Sequence, residues 1–152
     1  MGVTRRHVLA LPGLLCDDLV WETQAAAVGE IADVTIADLS SSDDLADMAA
    51  AALATVDGRV DVFGHSMGGR VAFEIWRQAP DRVASLVVLD TGIHPAGPDE
   101  PTGRQPMLDI SASVGMEALA DAWLPPMVHP DRRPDAAFMQ PLREMVMRAT
   151  PE

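Results

Sequence analysis

Cysteine is nearly absent: the 152 residues contain one, Cys16. A single thiol cannot close an internal disulfide, so the stapled framework of a small secreted domain is excluded and a reducing compartment is expected. Positive charge is scarce as well. There are 11 Lys and Arg against 23 Asp and Glu, giving a net charge of -12 and an isoelectric point near 4.5. Such a surface repels phosphate backbones and anionic lipid, which removes nucleic acid and membranes from the expected partners. No apolar run approaches the roughly 20 residues of a membrane-spanning helix. The segment Thr4-Arg5-Arg6-His7-Val8-Leu9 resembles a twin-arginine export signal, and Leu14-Leu15-Cys16 faintly resembles a lipoprotein cleavage site. Pro12-Gly13 interrupts the apolar stretch, however, and the small residues that cleavage needs before the cysteine are missing. The expected location is cytoplasmic.

What is present centres on Val60 to Arg70. Val60 to Phe63 is an apolar run that reads as a buried strand. It leads directly into Gly64-His65-Ser66-Met67-Gly68, which fits G-x-S-x-G. Val71-Ala72-Phe73-Glu74-Ile75-Trp76 then opens a helical pattern that Pro80 stops. Strand, sharp turn and helix form the context in which this motif presents a nucleophilic serine. A residue on so tight a turn is strained and closely passed by neighbouring backbone, so Gly64 and Gly68 flank it, and Gly69 relieves the same crowding. The Ser66 hydroxyl is then held above the sheet. The Met67 amide, at the N-terminus of the next helix, is directed to where an oxyanion would form. The other reading of the stretch is a glycine-rich strand–helix turn that only packs. No G-K-[ST] follows, so a phosphate-binding P-loop is excluded.

The rest of the chain alternates strands and helices. Residues 7–12 form a continuous apolar run, as expected of a central parallel strand covered on both faces. Asp17 or Asp18 caps a helix reaching roughly Val28, with Trp21 expected in the core. Ala32 to Leu39 reads as a second strand. Ser40-Ser41-Ser42-Asp43-Asp44 supplies hydroxyl caps and first-turn acids for a helix over Leu45 to Val56. Those acids, with Asp47, are explained by the helix start and not by a metal. Arg82 to Leu89 reads as a fourth strand, ending in Asp90-Thr91-Gly92. This alternation predicts right-handed βαβ units and a parallel sheet, with ligands beyond the C-terminal ends of the strands, where Leu14, Ser66 and Asp90 fall.

Composition changes at Pro95. Ten of the twelve prolines and six of the nine methionines lie from there onward, and no further strand is visible. Short helices are expected at 107–112, 116–123 and 135–148. Met107, Met116, Met127, Met139, Met145 and Met147, with Trp123 and Phe138, either line an adaptable apolar pocket or form the core of this segment.

The Leu11 to Asp17 segment, Leu-Pro-Gly-Leu-Leu-Cys-Asp, together with the later G-x-S-x-G stretch, resembles the α/β-hydrolase family, in the branch whose chains open with such a strand and loop. The resemblance implies a doubly wound parallel sheet of about four strands in the order second, first, third, fourth. It assigns residues 1–94 to the N-terminal part of the hydrolase core and 95–152 to a helical cap. It also implies Ser66 as the nucleophile, with backbone amides of Leu14 and Met67 as the oxyanion hole. No cofactor and no metal are implied, and the expected partner is a small-molecule acyl substrate.

In the family the triad runs Ser, then Asp or Glu, then His, the last two following strands beyond the cap. Complete domains of this kind exceed about 200 residues, and those two strands have no counterpart here. Resident residues offer weak substitutes. His7 lies within the first strand. His65 adjoins Ser66 and points away from it. His94 lies just beyond the fourth strand, and His129 sits in the proline-rich cap. Asp90 ends the strand beside that of the nucleophile, where it either acts as the acid or caps the turn. A fourth strand at the edge of the sheet, Leu86-Val87-Val88-Leu89, would be open and strongly apolar, inviting pairing with another chain or self-association. The expectation is therefore a truncated, catalytically incomplete serine hydrolase of the ester-hydrolysing type. The alternative is a non-catalytic remnant that binds a small ligand or a partner chain through the open edge.

Overall fold

A computed structural model describes residues 5–95 and 97–151; Thr4 of the arginine-pair segment lies outside the described residues. The chain divides into two compact units, Met1–Ile93 and His94–Glu152.

The first unit is built on four parallel strands, β1 (Arg6–Leu11), β2 (Ala32–Ile36), β3 (Val60–His65) and β4 (Val83–Leu89), ordered β2-β1-β3-β4. Side chains alternate across this sheet. Leu9, Leu11, Val60 and Val62 point to one face, where α2 (Leu45–Ala54) and α3 (Met67–Gln78) bury them with Met48, Ala49, Val71, Ala72 and Ile75. Their in-between neighbours Val8, Ala10 and Phe63 line the other face against Trp21 and α1 (Glu22–Val28). Burial on both faces is why β1 reads as an unbroken apolar run. Trp21 is buried as expected, its ring tilted 49° to Phe63 at 6.4 Å between centroids.

Boundaries shift where local chemistry decides them. The first helix starts as a short 3₁₀ turn, Asp18–Trp21, capped by Asp17, whose carboxylate accepts from the Leu19 N–H at 3.1 Å. The second helix is capped by Asp44 and not by the serines before it. The Asp44 Oδ1 accepts from the amides of Ala46 at 2.7 Å and Asp47 at 3.1 Å. Strand β2 stops at Ile36, three residues short of the expected end, although the Ala37 amide still reaches the Ala10 carbonyl at 2.9 Å.

A polar stitch crosses the end of the sheet remote from the serine turn. Buried Asp61 on β3 accepts from Arg6 Nε at 2.7 Å and from Ser85 Oγ at 2.5 Å, tying β1, β3 and β4 together. Burial alone would raise this carboxyl. The hydrogen bonds from Arg6 and Ser85, with the charges of Arg6 and Arg59, hold it below the ordinary carboxylate value.

The outer side of β4 pairs with no strand among the described residues. Val87, Val88 and Leu89 are 36%, 37% and 43% exposed, unusually high for consecutive large apolar residues in a strand.

The second unit is helical: α4 (Glu100–Ser113), α5 (Met116–Met127) and α6 (Ala136–Arg148). Gly115, at φ 110, breaks α4 from α5 in a conformation that a side chain would disfavour. Asp135 caps α6 through the Phe138 amide at 3.0 Å. Arg143 joins α6 to α5, donating to Asp121 Oδ1 and Glu117 Oε1, each at 2.8 Å. The methionines do not gather into one lining. Met145 is core, Met127 is 61% exposed, and Met139 borders an open cleft of about 320 Å³ between α5 and α6. Among the described residues no helix is long and apolar enough to cross a membrane.

Candidate active site

Register brings three strand ends to one rim. Leu11 lies opposite Gly64, and His65 opposite Leu89. The residues that follow each strand therefore emerge side by side: Pro12 to Leu15 after β1, Ser66 after β3 and Asp90 after β4. Each of these turns contains one non-glycine residue in the left-handed region: Leu15 at φ 59, Ser66 at φ 53 and Asp90 at φ 53. Side chains rarely adopt this conformation, and such residues persist only where their surroundings hold them.

Ser66 is the single residue between β3 and α3, with φ 53 and ψ -117. Its neighbours explain why the chain can turn so sharply. A Cβ on Gly64 would run into the backbone of Gly68 and Gly69. One on Gly68 would strike the carbonyls of Leu11 and Pro12. The start of α3 thus packs directly on the end of β1, which places the N-terminus of that helix at the rim.

The β1 loop runs beside the serine. A Cβ built on Gly13 would lie 3.2 Å from Ser66 Cβ and 3.1 Å from His65 Nδ1, so no side chain separates the loop from the turn. The loop is pinned by the Cys16 amide donating to the Gly13 carbonyl at 3.1 Å and by Cys16 Sγ donating to the Leu14 carbonyl at 3.4 Å. Leu14 itself is half exposed. Burial and the adjacent Asp17 charge push the Cys16 thiol up to about 11, so it stays protonated near neutrality and is no competing nucleophile.

The histidines divide between the units. His7 is engaged with Thr35 Oγ1 at 2.7 Å. His65 has its Nδ1 buried against Gly13 without a hydrogen-bond partner. His94 opens the second unit and is exposed. His129 is spent locally, its Nδ1 accepting from the Asp131 amide at 3.3 Å. Asp90 is exposed at the rim. No group of three or more His, Cys, Asp or Glu among the described residues could hold a metal ion; Asp44 caps α2 and Asp47 lies in its first turn.

One rim residue, named in the sequence only as part of the turn after the fourth strand, had no role at the serine there. The Thr91 hydroxyl donates to the Ser66 carbonyl at 2.5 Å. Its only trace was Gly69, a third glycine outside the G-x-S-x-G pattern, whose missing side chain leaves room for Thr91.

The fold is shared with solved hydrolases. A thermophilic esterase from Thermogutta terrifontis is 22% identical with a TM-score of 0.81, over 97% of this chain and 60% of its own. The enol-lactonase from Burkholderia xenovorans LB400 is 20% identical with a TM-score of 0.87, over 98% of this chain and 62% of its own. MenH from S. aureus is 17% identical with a TM-score of 0.78, over 99% and 64%. The chain therefore spans less than two thirds of the length of each. No curated protein matches the sequence. The model of the alpha/beta hydrolase fold family matches residues 20–110, more than half of the chain, and with a four-stranded parallel sheet carrying G-x-S-x-G at its strand–helix turn, the chain belongs to that family.

Proposed function

We propose that the chain carries the nucleophile half of a serine hydrolase. In this reading Ser66 takes the acyl group of a small or medium ester-like compound while the Leu14 and Met67 amides hold the oxyanion. The carrying observation is the strained Ser66 backbone, φ 53 and ψ -117, at the carboxyl rim of the sheet with the Gly13–Leu14 loop against it. Strain of this kind is retained where it serves a site. The presence of an esterase and an enol-lactonase among the structural matches favours ester-type acyl transfer. No cofactor is invoked.

A serine hydroxyl needs a base to take its proton. In the first unit His7 is bonded to Thr35, and His65 is buried against Gly13. We therefore propose that the chain alone acylates slowly and that base and acid come from a polypeptide supplying the remainder of the hydrolase fold. Turnover of p-nitrophenyl esters is measured for the chain alone, with such a polypeptide added, and with Ser66→Ala in both settings. Rescue that depends on Ser66 supports the reading. Rapid stoichiometric phosphonylation of Ser66 in the chain alone would contradict the missing base.

The second reading rests on the open edge of β4, with Val87, Val88 and Leu89 exposed. Here the chain binds a partner strand, or a second copy of itself, and performs no chemistry. Sedimentation of the wild type against Val88→Lys separates the two: concentration-dependent association removed by the lysine, without turnover in either setting above, favours binding.

A further inference from the structure

We propose that Thr91 is a positioning residue, which aims the Met67 amide by gripping the peptide that carries it. The inference rests on the reading of Ser66 as nucleophile and adds a residue to it.

Both backbone polar groups of Ser66 are held from the end of β4. The Ser66 N–H donates to the Leu89 carbonyl at 2.9 Å, and the Ser66 carbonyl accepts from Thr91 Oγ1 at 2.5 Å. Between those two partners stands Asp90, whose φ of 53 turns the chain back. In an extended chain, residue 91 would continue away from the serine. The left-handed residue is what returns a hydroxyl to it.

The grip matters because the peptide group is rigid. The Ser66 carbonyl and the Met67 N–H belong to one planar trans unit and point to opposite sides of it. Fixing the oxygen fixes the plane, and fixing the plane fixes the direction of the N–H. A donor aimed before the reaction pays no reorientation cost when charge develops on the oxyanion. The Gly69 amide also donates to the Ser66 carbonyl, at 3.0 Å. That contact lies within the turn and moves with it, whereas Thr91 belongs to the segment that follows a different strand, β4.

Room for the threonine is built in. A Cβ on Gly69 would lie 2.6 Å from Thr91 Cβ and 2.7 Å from its Oγ1. Real Cβ contacts are not that short, so Gly69 and Thr91 form a matched pair across α3 and the end of β4. The third glycine of the stretch is thereby explained by Thr91 and not by the serine.

The test uses the full chain and four variants: Thr91→Val, which keeps shape and removes the hydroxyl, Thr91→Ser, which restores it, Thr91→Ala and Ser66→Ala. Two readouts are taken, deuterium uptake by the peptide spanning residues 64–69 and the second-order rate of Ser66 labelling by a fluorophosphonate. Thr91→Val and Thr91→Ala are expected to raise uptake in that peptide at least 10-fold, with β1 and α6 unchanged, and to slow labelling 10- to 100-fold. Thr91→Ser is expected within about 3-fold of wild type in both. A merely structural threonine would not be rescued by serine, because the methyl group is still missing. Wild-type uptake in Thr91→Val, or failure of Thr91→Ser to recover, overturns the proposal. Labelling that survives Ser66→Ala overturns the nucleophile reading instead, and the uptake data alone then decide whether the grip exists.

Discussion

Ser66→Gly should stabilise the protein relative to Ser66→Ala. The backbone at this position, φ 53 and ψ -117, is the mirror image of an ordinary extended conformation. Glycine occupies it freely, whereas any Cβ strains it. Both substitutions remove the hydroxyl, so their difference isolates the Cβ. Strain at such a position costs about 1–3 kcal/mol. Glycine returns roughly 0.5–1 kcal/mol of this through the extra freedom of its unfolded chain. Ser66→Gly should therefore exceed Ser66→Ala by about 0.5–2 kcal/mol, or about 1–8 °C in melting temperature for a chain of this size. Urea unfolding of both variants in a Trp123→Phe background would measure this through Trp21 and Trp76, which lie in the first unit. Equal slopes against urea are needed for the midpoints to be compared. If Ser66→Gly is no more stable than Ser66→Ala, the turn is not strained, and the observation that carries the proposed function is lost.

Other substitutions probe the frame around that turn. Gly68→Ala should cost more than about 2 kcal/mol and lower labelling of Ser66, because the added Cβ meets backbone carbonyls of Leu11 and Pro12 that cannot rotate away; denaturant melts and phosphonate labelling report both. Asp61→Asn should cost about 1.5–3 kcal/mol at pH 6 by weakening charged hydrogen bonds to Arg6 and Ser85. The folded-state pKa of Asp61 is depressed, so its stabilisation is complete above the unfolded value of about 4 and is lost as pH falls through the folded one. Melts from pH 6 to pH 2 should show the gap between wild type and Asp61→Asn closing below about pH 4. Cys16, with its thiol raised from 9.0 to about 11, should react with iodoacetamide at pH 8 roughly 100-fold more slowly in the folded protein than in urea; mass spectrometry of timed quenches gives both rates.

Several features were legible because they are local. The steric demand of a serine on a one-residue turn writes itself into adjacent positions as Gly64 and Gly68. A strand buried on both faces writes itself as a near-continuous apolar run, as in β1, and the apolar runs of β3 and β4 could be read with the helices between them. Their connections, each a parallel crossover, then left little freedom in strand order, and β2-β1-β3-β4 followed with the family resemblance. Helix caps were less legible. Ser40, Ser41, Ser42, Asp43 and Asp44 all carry capping side chains, and the backbone angle at Asp44 selected among them. The methionine-rich segment carried no periodicity strong enough to say which residues face inward, and only packing sorted Met145 from Met127.

What tertiary structure alone decided are contacts between residues far apart in the chain. Arg6, Asp61 and Ser85 meet because three strands stand side by side in a definite register. Gly13 touches Ser66 because two strand ends coincide at one rim. Thr91 reaches the Ser66 carbonyl because a left-handed Asp90 turns back toward a neighbouring strand. The amino-acid sequence by itself determined where the chain turns sharply and which faces shun water, since those are set by sterics and solvation within a few residues. It did not determine which hydroxyl grips the turn, because a hydrogen bond across 25 residues depends on strand register, and register is settled only when the whole sheet packs.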